Sequence, residues 1–198
     1  MELLLIRHAL PVRREVKVGP ADPELSVEGL QQSDRLAEYL VGEEIASIYV
    51  SPLNRAMQTA APLARRLGLH SVVVDDIAEY DRASNEYVPI DELRATNDPR
   101  WQKMVDGEWE STDETVAEFK ARIVLAIETI IDRHQSSRVA VVCHGGVINH
   151  YLANILGITT TRGFFYPNYT SIHRVFASRT GLRSVMTLNE TAHLRDRK

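Results

Sequence analysis

Four short apolar runs constrain this chain more than any other feature: "LLLI" at 3–6, "IASIYV" at 45–50, "SVVVDD" at 71–76 and "RVAVVC" at 138–143. The first and last are too short for a packed helix and lack alternation, so they read as strands buried on both faces. The other two read as strands of the same sheet. Between the runs lie segments with helical punctuation. "LSVEGLQQSDRLAEYL" has Ser26 as N-cap and Leu30, Ser33, Ala37 and Leu40 along one face. "SPLNRAMQTAAPLARRLG" offers Ser51 as N-cap, Pro52 at the first helical position and Gly68 as its stop. "STDETVAEFKARIVLAIETIIDRH" matches a capping box at Ser111 and Glu114, with Val116, Phe119, Ile123, Ile127 and Ile130 sharing a face. "GVINHYLANILG" is a helix ending at Gly157. Strands alternating with helices predict an α/β three-layer sandwich: a largely parallel central sheet flanked by helices.

Two stretches break the alternation. Residues 12–24, with Gly19, Pro20 and Pro23, read as a loop. Residues 79–111 hold Pro89, Pro99, Gly107 and both tryptophans, with an excess of acids. This second stretch reads as an excursion that covers the sheet edge, with short helices around 91–105, rather than as a separate domain. Trp101 and Trp109 are expected in its core. Near the end, "SIHRVFA" and "RSVMTL" read as strands joined by a hairpin turn at "SRTG". The whole 1–198 span is expected to form one domain.

Composition narrows the function classes. A net charge of -4 without a basic block argues against nucleic-acid binding. No run approaches a membrane span, and the opening apolar run is broken by Arg7. The single cysteine, Cys143, precludes an internal disulfide, which leans towards a reducing, cytoplasmic setting. Cys143 is read as packing, not as a nucleophile. No spacing suggests a metal or another cofactor. A homodimer is an expectation from symmetry base rates alone.

In an open parallel sheet, ligands bind beyond the C-terminal ends of the strands. Arg7 and His8 follow the first strand, Ser51 to Arg55 the second, Glu79 the third, and His144, Gly145 and Gly146 the fourth. Two guanidiniums present forked donors suited to phosphate oxygens. Helix starts after Ser51 and after the His144-Gly145-Gly146 run would add backbone N–H groups. Arg55 sits in a first turn, where a cation conflicts with the helix dipole unless an anion lies nearby. A neutral histidine can act as a nucleophile and a carboxylic acid can protonate a leaving oxygen. Glu79 is the favoured acid, with Asp75, Asp76 and Asp81 as neighbouring alternatives. Arg13, Arg14 and Lys17 are a solvated loop cluster or substrate contacts. His150 is expected on the polar face of its helix, and His70, His134, His173 and His193 carry no motif.

These residues resemble the histidine phosphatase superfamily, in the branch that contains cofactor-dependent phosphoglycerate mutases. "LLLIRHA", "ELSVEGLQQS", "SPLNRAMQTA" and "VVCHGGVI" match its four motifs in order. The resemblance implies a phosphatase acting on a small phosphorylated metabolite without metal. His8 would become phosphorylated, with Arg7, Arg55 and His144 gripping the phosphoryl group, Gly145 binding substrate and Glu79 donating the proton. Arg14 stands six residues past His8, where the family often has asparagine or serine, and is the remaining substrate-binding candidate. Ala9 replaces the usual glycine, and the mutases' arginine-arginine-tyrosine-glycine run is replaced by "YDRASNEY". That departure favours a phosphatase over a mutase. A non-catalytic phosphate sensor on the same fold is the rival from another class.

Overall fold

In the computed structural model, which describes residues 1–108, 111, 113–159 and 163–195, the four runs become neighbouring parallel strands. They are β1 (Glu2–Arg7), β3 (Ile45–Val50), β4 (Ser71–Val73) and β6 (Arg138–Cys143). With β7 (Ile172–Ala177) and β8 (Arg183–Glu190) they form a six-stranded sheet in the order β4-β3-β6-β1-β7-β8. The last two strands run antiparallel as a hairpin, so the sheet is mixed but mostly parallel.

Helices cover both faces because the strand residues alternate. Leu3 and Leu5 of β1, with Val139 and Val141 of β6, pack under α5 (Val116–Arg133) and α6 (Gly145–Leu156). Leu4, Ile6, Ala140 and Val142 point the other way, against α1 (Val27–Leu40) and α2 (Asn54–Leu67). Leu3 to Ile6 are fully buried, the burial on both faces expected of a central strand.

Several local expectations change. Ser26 does cap α1, accepting from the Gly29 N–H at 3.0 Å, but Leu30 is 47% exposed and Leu36 takes its place in the core. Helix α2 starts two residues later than Ser51-Pro52 suggests. Its N-cap, Leu53, has no side-chain bond, and the Asp22 carboxylate instead accepts from the Asn54 N–H at 2.9 Å. The capping box of α5 is Thr115 with Glu118, one turn beyond Ser111 and Glu114. Glu114 is held instead by Arg122.

The loop at 12–24 contains β2 (Arg14–Glu15), which pairs with β5 (Glu86–Tyr87). That small ladder ties the loop to the 79–111 excursion, whose short helices are α3 (Ile90–Ala95) and α4 (Pro99–Asp106). Trp101 lines a cavity rather than a core, and Trp109 lies outside the described residues.

Candidate active site

Parallel strand ends gather at one edge because the backbone ladders continue past them. His8 N–H donates to the Cys143 carbonyl at 2.9 Å, and Ser51 N–H to the Val142 carbonyl at 3.0 Å. The side chains that follow are therefore set by the sheet. Arg7 is 5% exposed, His8 3%, Arg55 2% and His144 fully buried. Arg7, His8, Arg55, Glu79, Gly145 and Gly146 line one cavity of about 590 Å³.

The His8 ring is held in one tautomer. Its Nδ1 lies 2.8 Å from the Ala9 carbonyl, which can only accept, so Nδ1 carries the proton and Nε2 keeps its lone pair. Burial, with the Arg55 and Arg7 charges, holds its pKa well below the ordinary histidine value. The ring therefore stays neutral and nucleophilic at neutral pH. The strand-to-loop turn behind it is fixed from two sides. Ala9 N–H donates to Thr59 Oγ1 at 2.9 Å, and Leu10 N–H to Gln32 Oε1 at 3.0 Å. Gly29 lets α1 press onto that turn: a Cβ there would lie 2.0 Å from the Leu10 carbonyl oxygen.

The two arginines are balanced differently. Arg55 Nη2 donates to Asp81 at 2.9 Å, and its guanidinium lies over the Tyr87 ring. Arg7 pairs with no carboxylate among the described residues. It donates to the Pro167 carbonyl and sits 3.9 Å from the Tyr169 ring centroid. Cation–π contact gives about 2 kcal/mol when desolvated, less than the several kcal/mol that burying an ion costs. The Nε atoms of both arginines are buried without a partner among the described residues. An anion accepting from these guanidiniums would offset the cost of their burial.

His144 stands behind this wall rather than in it. Its ring centroid is 5.1 Å from that of His8, its Nε2 is 2.7 Å from Ser51 Oγ, and its buried Nδ1 has no partner among the described residues. Burial, then Arg55, His8 and Arg7, lower its pKa well below the usual value. It caps α6 by position, so the free N–H groups of that helix open beside His8. Gly146 N–H donates to Glu79 Oε2 at 2.8 Å, and Gly145 N–H has no acceptor among the described residues.

Glu79 joins the site from beyond β4. Tyr80 N–H donates to its other oxygen at 2.9 Å. Burial, reinforced by Asp81, raises its pKa above the carboxylate range, against the lowering effect of those N–H bonds and Arg55. Gly146 allows the close approach, since a Cβ there would meet Glu79 Oε1 at 2.3 Å. Arg122 fixes the preceding turn, donating to the Asp76 and Ala78 carbonyls at 2.8 and 2.9 Å. A carboxyl group shifted in this direction is better suited than an ordinary one to carry a proton and release it to a leaving oxygen.

The histidine phosphatase superfamily (branch 1) family model matches residues 3–190. The chain belongs to the histidine phosphatase superfamily. It is 32% identical over 162 residues to phosphoglycerate mutase-like protein 4 of Arabidopsis thaliana, a match covering 74% of this chain and 67% of that one. It is 26% identical over 201 residues to phosphoserine phosphatase 1 of Hydrogenobacter thermophilus, covering 98% and 94%. Among solved structures, phosphoserine phosphatase from Entamoeba histolytica in complex with 3-phosphoglyceric acid superposes with a TM-score of 0.77 at 24% identity, covering 98% and 99%. As a histidine phosphatase, the protein is an enzyme with phosphatase or mutase activity.

Six of the residues expected at the site in this histidine phosphatase, Arg7, His8, Arg55, Glu79, His144 and Gly145, are brought together at the sheet edge. Arg14 is not. It is exposed on β2, and its guanidinium reaches only the Asp22 carbonyl at 3.4 Å. Arg13 is closed by Glu86 and Glu92, and Lys17 is exposed. Among the alternative acids, Asp81 is engaged by Arg55. His150 lines the cavity instead of facing solvent, its ring edge-on to Phe119. Cys143 is fully buried and its thiol is pushed up by burial, consistent with packing. Sequence reasoning placed Ser51 at the end of the second strand but gave it only the role of an N-cap, and it did not find Thr59, Tyr166 and Tyr169. Ser51 and Thr59 lie inside the "SPLNRAMQTA" run, and a serine that does not cap its own helix is a signal for a tertiary partner. The tyrosines lie in the segment before β7, outside the four motifs, and carried no such signal.

Proposed function

We propose that this enzyme is a phosphatase that hydrolyses a small phosphomonoester through a phosphohistidine at His8. The observation that carries the reading is the Nδ1–H to Ala9 carbonyl bond, which leaves Nε2 as the reactive nitrogen between two buried arginines. In the first step the Nε2 lone pair forms the N–P bond in line with the ester oxygen. The P–O bond breaks, its electron pair stays on that oxygen, and Glu79 supplies the proton. In the second step the Glu79 carboxylate takes a proton from water as the water oxygen attacks phosphorus, releasing inorganic phosphate and His8.

Charge stabilisation has to do most of the work. Enzymes accelerate phosphate-monoester hydrolysis by up to about 10²¹-fold, whereas a general acid gives roughly 10² to 10⁴. Arg7, Arg55 and the Gly145 N–H are the donors assigned to the equatorial oxygens. His144 is assigned to the same group past the ring of His8, with Ser51 Oγ–H donating to Nε2 so that Nδ1 carries a proton.

Phosphatase rather than mutase is favoured by the segment after Glu79. Asp81 is bound to Arg55, and Arg82 turns away to Asp113 at 2.9 Å instead of lining the cavity. Arg82, the one arginine of the "YDRASNEY" run, therefore does not face a phosphoglycerate carboxylate. The test incubates the protein with 4-nitrophenyl phosphate and, separately, with 3-phosphoglycerate. Release of inorganic phosphate that is lost in His8→Ala supports the reading. Isomerisation of phosphoglycerate without phosphate release would make the enzyme a mutase, and inactivity of folded protein on both would favour a phosphate sensor.

A further inference from the structure

The cavity is larger than a phosphoryl group needs. At about 590 Å³ it falls in the range that encloses drug-sized ligands. Away from the residues used above, its wall is mostly apolar. Leu93, Trp101, Met104 and Val105 come from α3 and α4, and Phe164 and Phe165 from the segment before β7. The ring of Trp101 meets Tyr166 edge-on, and the two phenylalanine rings pack with centroids 4.9 Å apart. Aromatic edges and faces of this kind recognise an apolar or aromatic body.

The polar groups on the same wall are already committed. Arg100, the one further cation in the described lining, donates to Asp98 at 2.9 and 2.8 Å and to Glu86 at 2.7 Å. Ser84 Oγ donates to the Glu86 carbonyl. Asn149 donates its amide to two carbonyls, of Gly145 and Phe165, which fixes that amide's orientation and leaves its oxygen as a buried acceptor without a partner among the described residues. His150 Nδ1 donates to the Gly146 carbonyl at 2.9 Å. This part of the described wall therefore offers apolar surface and a spare acceptor, but no free lysine or arginine. A carboxylate brought here would be desolvated with no ammonium or guanidinium among the described residues of this wall free to meet its charge.

We infer that the alcohol half of the substrate is bulky, apolar or aromatic, and uncharged, in contrast to a small hydroxy acid such as serine or glycerate. This rests on the phosphatase reading above. Discrimination follows from differential binding in the transition state, where a few buried methylenes already change kcat/KM by about tenfold or more.

The experiment compares kcat/KM for 3-phenylpropyl phosphate, ethyl phosphate, phosphoserine and 3-phosphoglycerate, read as inorganic phosphate release. All four are esters of primary alcohols, so the leaving oxygen changes little. The expected order puts 3-phenylpropyl phosphate about tenfold or more above ethyl phosphate, with the two carboxylated esters lowest. Trp101→Ala and, separately, Met104→Ala should each lower the ratio of phenylpropyl to ethyl phosphate. A ratio taken on one preparation is independent of how much of it is folded. A carboxylated ester that equals or exceeds phenylpropyl phosphate, or a ratio unmoved by both substitutions, overturns the inference and leaves the phosphatase reading standing. No phosphate release from any ester by folded protein would instead remove the phosphatase reading, and the inference with it.

Discussion

At the sheet edge, Arg7, His8, Arg55 and His144 are each at most 5% exposed, and backbone ladders and buried side-chain bonds fix them. Across the cavity, α3 buries only Leu93 and α4 buries nothing. That side is tied down by partly exposed ion pairs: Arg100 with Glu86 and Asp98, Arg13 with Glu86 and Glu92. Exposed pairs of this sort are worth only about 0–1 kcal/mol each. The comparison teaches a division of labour. Chemistry sits where positions are over-determined, and selection among leaving groups sits where the wall is loosely held and can vary cheaply.

Substitutions at the edge should therefore cost activity far more than substitutions on the cover. Short of His8 itself, the effect expected on every ester alike is at Arg55. Arg55→Ala should lower kcat/KM by about 10² to 10³ or more on every ester, with Arg55→Lys recovering part of the loss because it keeps the charge without the fork. Steady-state kinetics on two esters checks this, and a loss confined to one ester would show Arg55 to be a specificity residue instead.

Glu79→Gln should cost about 10² to 10⁴ on alkyl esters and much less on 4-nitrophenyl phosphate, whose leaving group needs little protonation. The pH profile carries the sign. Burial raises the Glu79 pKa, so the protonated acid persists above the ordinary carboxylate range. The rate on an alkyl ester should fall as pH rises through that elevated value, and the fall should vanish in Glu79→Gln. A profile that keeps this limb in the variant would assign the proton to another group.

The smallest effect is expected beyond the cover. Thr115→Ala removes the α5 cap, in which Thr115 Oγ1 accepts from Glu118 N–H at 3.3 Å. It should cost about 1 kcal/mol of stability. A denaturation midpoint should register that change while kcat/KM stays within about twofold. A loss of activity matching that of Arg55→Ala would erase the distinction between the two regions.

The same division governs what the sequence made legible. Strand ends in a parallel sheet converge by topology, so Arg7, His8, Arg55, Glu79 and His144 could be gathered from position alone, and the four ordered motifs named their chemistry. Arg14 failed because its offset from His8 gave no information about β2, whose pairing with β5 turns that side chain outward. Helix starts slipped at Ser51 and Ser111 because tertiary partners outcompete local caps: His144 engages Ser51, and Arg122 engages Glu114. Leu30 failed for a related reason. Gly29 is pressed against Leu10, which fixes the rotation of α1 and leaves Leu30 outside. The cover was legible only as an interruption, because apolar residues that line a cavity look the same in sequence as those that fill a core.

The central claim is that the His8 imidazole, with its proton pinned on Nδ1, takes the phosphoryl group onto Nε2. Rapid acid-free quenching of the enzyme during turnover of a ³²P-labelled ester, followed by peptide mapping, tests it directly. The account predicts an acid-labile, base-stable label on the peptide containing His8, formed at a rate no slower than turnover and absent from His8→Ala. Label on any other residue, or undiminished turnover by His8→Ala, would contradict it.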